Sequence, residues 1–135
     1  MTTNGTLLDK EKIEFLSSHN IPILLSMDGN KAIQDINRPC RNGDSSFDLV
    51  EPNIQYILNY LPFTTFRATI NQNNCSTLFE DTYLYAISKG FKNIFLCPNA
   101  REEWTEENLN ILHNEINKIW TYIILSFLNN EEPIH

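Results

Sequence analysis

Several things are scarce in this sequence, and each scarcity closes off a class of function. Glycine occurs four times in 135 residues, with no GxGxxG or GxxxxGK[ST] arrangement. A dinucleotide or nucleotide triphosphate cradled by a glycine-rich loop is therefore excluded. HExxH and GxSxG are absent as well, which removes the common zinc-peptidase and serine-hydrolase signatures. The three cysteines, Cys40, Cys75 and Cys97, lie far apart without a CxxC or CxxxCxxC. Metal or iron-sulfur ligation needs closely spaced ligands or several gathered by the fold. An odd cysteine count without a framework fits a reducing compartment.

Positive charge is also short. Ten Lys and Arg face seventeen Asp and Glu, for a net charge of -7. A partner held by phosphate neutralisation, such as nucleic acid, wants the opposite balance. No apolar run approaches 18 residues; "IWTYIILSFL" is too short and begins inside an amphipathic pattern. No membrane partner is expected. "MTTNGTLLDK" has no basic stretch followed by an apolar one, so no secretory signal is expected and a cytoplasmic protein is. His19, His113 and His135 are scattered, and none reads as catalytic. Glu102, Glu103, Glu106 and Glu107 sit at or near a helix start, where the helix dipole accounts for them.

What is present is a globular composition, 41% hydrophobic and 20% charged, long enough for one domain with a real core. "LLDKEKIEFLSSHN" reads as a helix capped by Asp9, with Ile13 and Leu16 on one face and Asn20 at its end. "IPILL" reads as a buried strand. A long polar loop, 26–48, follows. Ser45 and Asp48 make a capping box opening "FDLVEPNIQYILNYL", with Leu49, Ile54, Ile57, Leu58 and Leu61 at helical spacing and Pro52 early in the helix. "FTTFRATI" reads as a strand, with Phe63 and Phe66 among its β-prone residues. Thr77 and Glu80 make a second capping box, and Gly90 closes that helix. "FKNIFLCP" reads as another buried strand. Thr105 then caps a long helix with Leu109, Leu112, Ile116, Ile119, Trp120 and Ile123 as its stripe. "TTNG" reads as the end of a further strand. Such alternation predicts βαβ units and an α/β fold with a parallel sheet.

In parallel α/β folds, functional residues gather at the carboxyl ends of strands. That rule selects Asn4 to Thr6, then Ser26, Asp28 and Gly29 with Arg38, Arg41, Asn42 and Gly43, then Arg67 with Asn71, Asn73 and Asn74, then Cys97, Asn99 and Arg101. Arg67 stands inside a strand. A cation there is costly unless an anion meets it, although an edge position would let it snorkel to water. Gly29 after Asp28 lets a ligand approach the backbone, or simply makes a βα turn.

"TTNGTLL", "ILLSMDG", "IQDINRPCRNGDSSFDLV", "FRATI" and "GFKNIFLCP" with "WTEEN" resemble the middle and later part of a radical S-adenosylmethionine enzyme. The similarity is to the SPASM-type group, which includes anaerobic sulfatase-maturating enzymes and peptide maturases, and it extends to about Trp120. It implies an incomplete parallel (β/α) barrel, with residues 1–135 as the third to sixth βα units and no second domain. It also implies site roles: Ser26, Arg67, Asn4, Asp28, Leu96 and Cys97 toward S-adenosylmethionine, and Arg38, Arg41, Asn42 and Gly43 as a substrate-side loop.

The departures from that pattern carry expectations too. Asn30 replaces the usual proline, Cys40 stands where an aromatic is common, and Asp44 and Ser45 replace a glycine-containing turn. The CxxxCxxC that holds a 4Fe-4S cluster is absent from this chain, as are the glycine-rich second-strand motif and the cysteine-rich SPASM extension. A fragment of an enzyme that modifies a peptide or protein by 5'-deoxyadenosyl radical chemistry, inactive alone, is the leading expectation. The alternative is a non-catalytic half-barrel that binds a peptide, a nucleoside-like ligand or a complementary N-terminal half.

Overall fold

The computed structural model describes residues 1–129; His135 lies outside them. Four parallel strands form one sheet in chain order: β1 (Thr2–Thr3), β2 (Leu24–Ser26), β3 (Thr65–Ile70) and β4 (Asn93–Pro98). The sheet does not close, so β1 and β4 are both edges. The α/β fold with a partial parallel barrel expected from the sequence is the fold observed.

Parallel neighbours need long crossovers, and helices supply them. Helix α1 (Lys10–Ser18) starts where Asp9 accepts from the Lys12 N–H, and it buries Ile13 and Leu16. Helix α6 (Glu106–Leu128) starts where the Thr105 hydroxyl accepts from the Asn108 N–H. Helix α5 (Tyr85–Lys89) ends on Gly90, whose φ of 94° is easily reached only without a Cβ.

The core occupies one face of the sheet. Leu25, Met27, Phe66 and Ala68 pack with Ile13 and Leu16 of α1, with Ile54 and Ile57 of α4 (Ile54–Tyr60), and with Ala86 and Phe91. A second cluster joins Ile70 to Leu78, Tyr83, Leu112 and Ile119 of the β3–β4 crossover and α6.

Several local expectations are corrected. The 26–48 segment is not all loop: α2 (Lys31–Asn37) lies inside it, capped by Asn30, whose side chain accepts from the Ile33 N–H. Its stripe is too short to show as periodicity, since Ile33 is buried while Ile36 is exposed. The expected helix after Ser45 is three pieces: α3 (Ser46–Val50), a 3-10 turn (Glu51–Asn53) around Pro52, and α4. Within α3 the buried residues are Ser46 and, four residues on, Val50, so Leu49 faces outward and is 48% exposed. Asp48 does not complete a reciprocal capping box; its carboxylate accepts from Lys31 Nζ at 2.6 Å.

Thr77 caps nothing with its side chain. A 3-10 turn (Cys75–Thr77) and a π-helical segment (Leu78–Leu84) precede α5. Phe63 lies before β3 and is 77% exposed. Strand β4 is half-buried rather than buried, with Phe95 51% exposed. On α6, Leu112 and Ile119 are buried, but Leu109 and Trp120 are exposed.

Candidate functional site at the open face of the sheet

Residues paired across a parallel ladder share a face, and faces alternate along each strand. Ser26 pairs with Arg67, and Arg67 with Phe95. Leu24 pairs with both Thr2 and Thr65, and Thr69 with Cys97. The face opposite the core therefore carries Thr2, Leu24, Ser26, Thr65, Arg67, Thr69, Phe95 and Cys97. Asn4 and Asp28 follow the same alternation just past the ends of β1 and β2. Leu96 falls on the core-facing side and packs against both clusters. Only its backbone can serve the open face.

Arg67 is half-buried, and its guanidinium has no hydrogen-bond or ion-pair partner among the described residues. Ser26 beside it is buried. The two Arg67 readings left by the sequence are narrowed, because β3 is an inner strand flanked on both sides. Arg67 does not stand on a sheet edge.

A second guanidinium approaches the same region from above. The seven-residue α2 ends at Arg38. Arg38 Nη2 donates to Asp28 Oδ1 at 3.0 Å and to Thr69 Oγ1 at 3.3 Å. Arg38 Nε is buried without a partner among the described residues. Buried N–H donors are usually satisfied, so an unsatisfied one asks for an acceptor. Arg38 lines a cleft of about 380 Å³ with Asn4, Thr6, Cys40, Arg41 and Leu49. Asn4 and the Arg38–Arg41 segment are thus brought together. Asn42 and Gly43 are exposed and outside that lining. Asn42 Nδ2 donates to Asp44 at 2.6 Å within its own turn.

Asp28 is a buried hub rather than a wall of the cleft. Its side chain is 2% exposed. Besides Arg38, Oδ1 accepts from the Thr69 N–H at 2.8 Å. Its own N–H donates to Gln34 Oε1 at 2.8 Å, and Gln34 Nε2 donates to Ser46 Oγ at 3.0 Å. Its carbonyl accepts from Thr82 Oγ1 at 2.7 Å.

Gly29 does allow a close backbone approach, and what approaches is this chain's own π segment. A Cβ on Gly29 would lie 2.5 Å from the Asp81 carbonyl oxygen, and its φ is 153°. Asn30 completes the junction: its N–H donates to Asp81 O at 2.8 Å, and Nδ2 donates to Asp81 Oδ1 at 2.8 Å. The residue that departs from the proline pattern thus both caps α2 and ties it to the next unit.

The loop leaving α2 is held from outside. Asp35 Oδ1 accepts from Ser45 Oγ at 2.9 Å and from the Phe47 N–H at 3.1 Å, and Lys31 pairs with Asp35 at 3.2 Å. Burial pushes the Asp35 carboxyl up, but these three donors together hold it below its ordinary value. The asparagines after β3 and β4 knit their own loops. The Asn71 N–H donates to Asn74 Oδ1 at 2.6 Å, and Asn99 Nδ2 donates to Asn71 Oδ1 at 2.9 Å. Glu102, just before the α6 N-terminus, accepts from the Gln72 N–H at 2.7 Å.

The cysteines do not fit a cluster. Cys40 follows α2, Cys75 is buried in the turn after β3, and Cys97 lies in β4. Among the described residues no three His, Cys, Asp or Glu converge to hold a metal ion. No helix among them is long and apolar enough to cross a membrane.

Comparison with known proteins bears on the fold. No family model matches the chain. The cysteine-type anaerobic sulfatase-maturating enzymes of two Clostridium perfringens strains, ATCC 13124 and 13, are each 32% identical over 92 residues, 68% of this chain. The chain spans 25% of the length of those relatives. Native anSMEcpe with bound AdoMet superposes with a TM-score of 0.82 at 24% identity, covering 98% of this chain and 38% of that one. Native anSMEcpe with bound AdoMet and Cp18Cys peptide gives 0.83 at 25% identity, with the same shares. The fold is therefore that of a partial radical S-adenosylmethionine barrel with an open sheet. Within that fold the chain is similar to the anaerobic sulfatase-maturating enzymes.

Proposed function

We propose that this chain is the third-to-sixth βα part of a radical S-adenosylmethionine enzyme that modifies a peptide or protein, and that its open face takes part of the cofactor. One observation carries the reading. Arg67, a half-buried cation without a partner among the described residues, stands in register beside Ser26 on that face. An anion there would meet the guanidinium in a site partly screened from water, where charge-assisted hydrogen bonds are strong. The cofactor's methionine carboxylate is such an anion. Ser26 offers a hydroxyl to its ribose, and the backbone at Leu96 and Cys97 borders the place left for its adenine. The cleft of Asn4, Arg38 and Arg41 would face the methionine end or the peptide.

S-adenosylmethionine held there would supply radical chemistry, hydrogen abstraction from the partner, given one electron from a reduced 4Fe-4S cluster. The 4Fe-4S cluster such chemistry needs finds no ligand set in the cysteines of this chain. Its ligands must come from other polypeptide, and the chain alone is expected to bind without catalysing. Peptide-bound neighbours support a peptide as the partner. The dispersed cysteines equally favour a second reading, a half-barrel module that binds a peptide, a nucleoside-like ligand or a complementary subunit without chemistry.

Calorimetric titration of the full chain with S-adenosylmethionine tests the cofactor site. Binding should weaken about tenfold or more in Arg67→Ala, the loss expected when a charged hydrogen-bond partner is removed. No heat at millimolar cofactor in the wild-type chain, with Arg67→Ala indistinguishable from it, overturns the assignment. Product formation on adding a cluster-bearing polypeptide separates the enzyme fragment from the binding module.

A further inference from the structure

Two guanidiniums meet the open face by different means. Arg67 arrives on a strand and is unpartnered among the described residues. Arg38 arrives from the end of a short helix, and a long side chain there would ordinarily sample many rotamers. Here Nη2 is caught twice, by Asp28 Oδ1 at 3.0 Å and by Thr69 Oγ1 at 3.3 Å. Thr69 lies two residues after Arg67 on the same face of β3. The catch leaves Arg38 Nε buried, and unsatisfied among the described residues, in the region of the cleft. Asp28 itself lies beneath, enclosed by Arg38, the Thr69 N–H, Gln34 and Thr82.

We infer that Asp28 is a positioning residue: it fixes the Arg38 guanidinium so that its free donor meets an anionic group of the ligand, and it acts on binding only through Arg38. This rests on the reading that S-adenosylmethionine binds at the open face. It assigns Asp28 a place behind the ligand, whereas the motif resemblance implied one facing it.

The test is a double-mutant cycle on the full chain, with S-adenosylmethionine affinity measured calorimetrically for wild type, D28N, R38Q and D28N/R38Q. Asp28→Asn keeps the side-chain shape and removes the charge. The loss expected in D28N is about tenfold, and the double variant should bind no more weakly than R38Q alone. A D28N loss that persists undiminished in the R38Q background overturns the inference, as does wild-type affinity in D28N.

A second readout needs no ligand. In NMR spectra of the arginine Nε–Hε groups, D28N should shift the Arg38 resonance and speed its exchange with water, leaving that of Arg67 in place. An unmoved Arg38 resonance overturns the inference. If S-adenosylmethionine fails to bind the wild-type chain, the cofactor reading falls while this spectrum still decides the role of Asp28. If D28N does not fold, Thr69→Val removes only the hydroxyl oxygen that Arg38 touches. It should move the same resonance by less, and no movement counts against the proposal.

Discussion

Gly29 shows how much one residue of the strand-end turn carries. The Asp81 carbonyl sits 2.5 Å from where a Cβ would be, and the Thr82 hydroxyl oxygen 3.0 Å from it. Both belong to backbone and side chain already fixed by hydrogen bonds to Asn30 and Asp28, so neither can yield cheaply. A φ of 153° adds strain for any L residue with a side chain. Gly29→Ala should therefore destabilise the chain by about 2–3 kcal/mol, read as a lower urea midpoint. An unchanged midpoint would mean that the π segment is free to move away. At this scale the sequence was informative about residue identity and less so about partner. Asp28, Gly29, Arg38 and Arg67 all stand out by type and place. That Asp28 pairs with Arg38 depends on a helix between them which the sequence pattern hides.

At the scale of elements, strands and the long helices were legible because caps and stripes reach far enough to show. Asp9 and Thr105 each cap the helix expected of them, and Ser45 caps the first of the three pieces found in place of its own. What was hidden were short or irregular elements: α2, whose single buried aliphatic gives no period, and the π segment, whose first turn is held by a residue distant in sequence. The π segment is capped from outside itself. Glu115 of α6, buried and 36 residues away in sequence, accepts from the Phe79 N–H at 2.9 Å and pairs with Lys118. An acid in mid-helix looks like surface, and only the fold makes it a cap. Glu115→Ala strands that N–H and should cost about 1–3 kcal/mol, while Glu115→Gln, which keeps an acceptor, should cost less. Equal midpoints in chemical denaturation for all three proteins would rule out this capping role.

At the scale of the whole molecule, helices cover one face of the sheet, while on the other Arg38 reaches over only its carboxyl end, at Asp28 and Thr69. Parallel sheets are usually buried on both faces. Here Phe95 stands exposed beside Arg67 on the open face, and β1 and β4 are both unpaired on one side. On α6, Trp120, Ile124, Leu125 and Phe127 are exposed next to a groove of about 430 Å³ formed with Tyr83, Ile94 and Leu96. Tyr83 is buried there, its hydroxyl has no partner among the described residues, and burial and Tyr122 push its pKa up to about 12. Exposed apolar surface and unpaired strand edges both favour association. The chain by itself should therefore show concentration-dependent association in sedimentation velocity at micromolar to roughly 100 micromolar protein, a range where aggregation-prone species commonly appear. Trp120→Lys should shift it toward monomer without lowering the melting temperature, since Trp120 supports little of the core. A chain that stays monomeric throughout that range would mean that the open face and the α6 groove are better hydrated than their side chains imply.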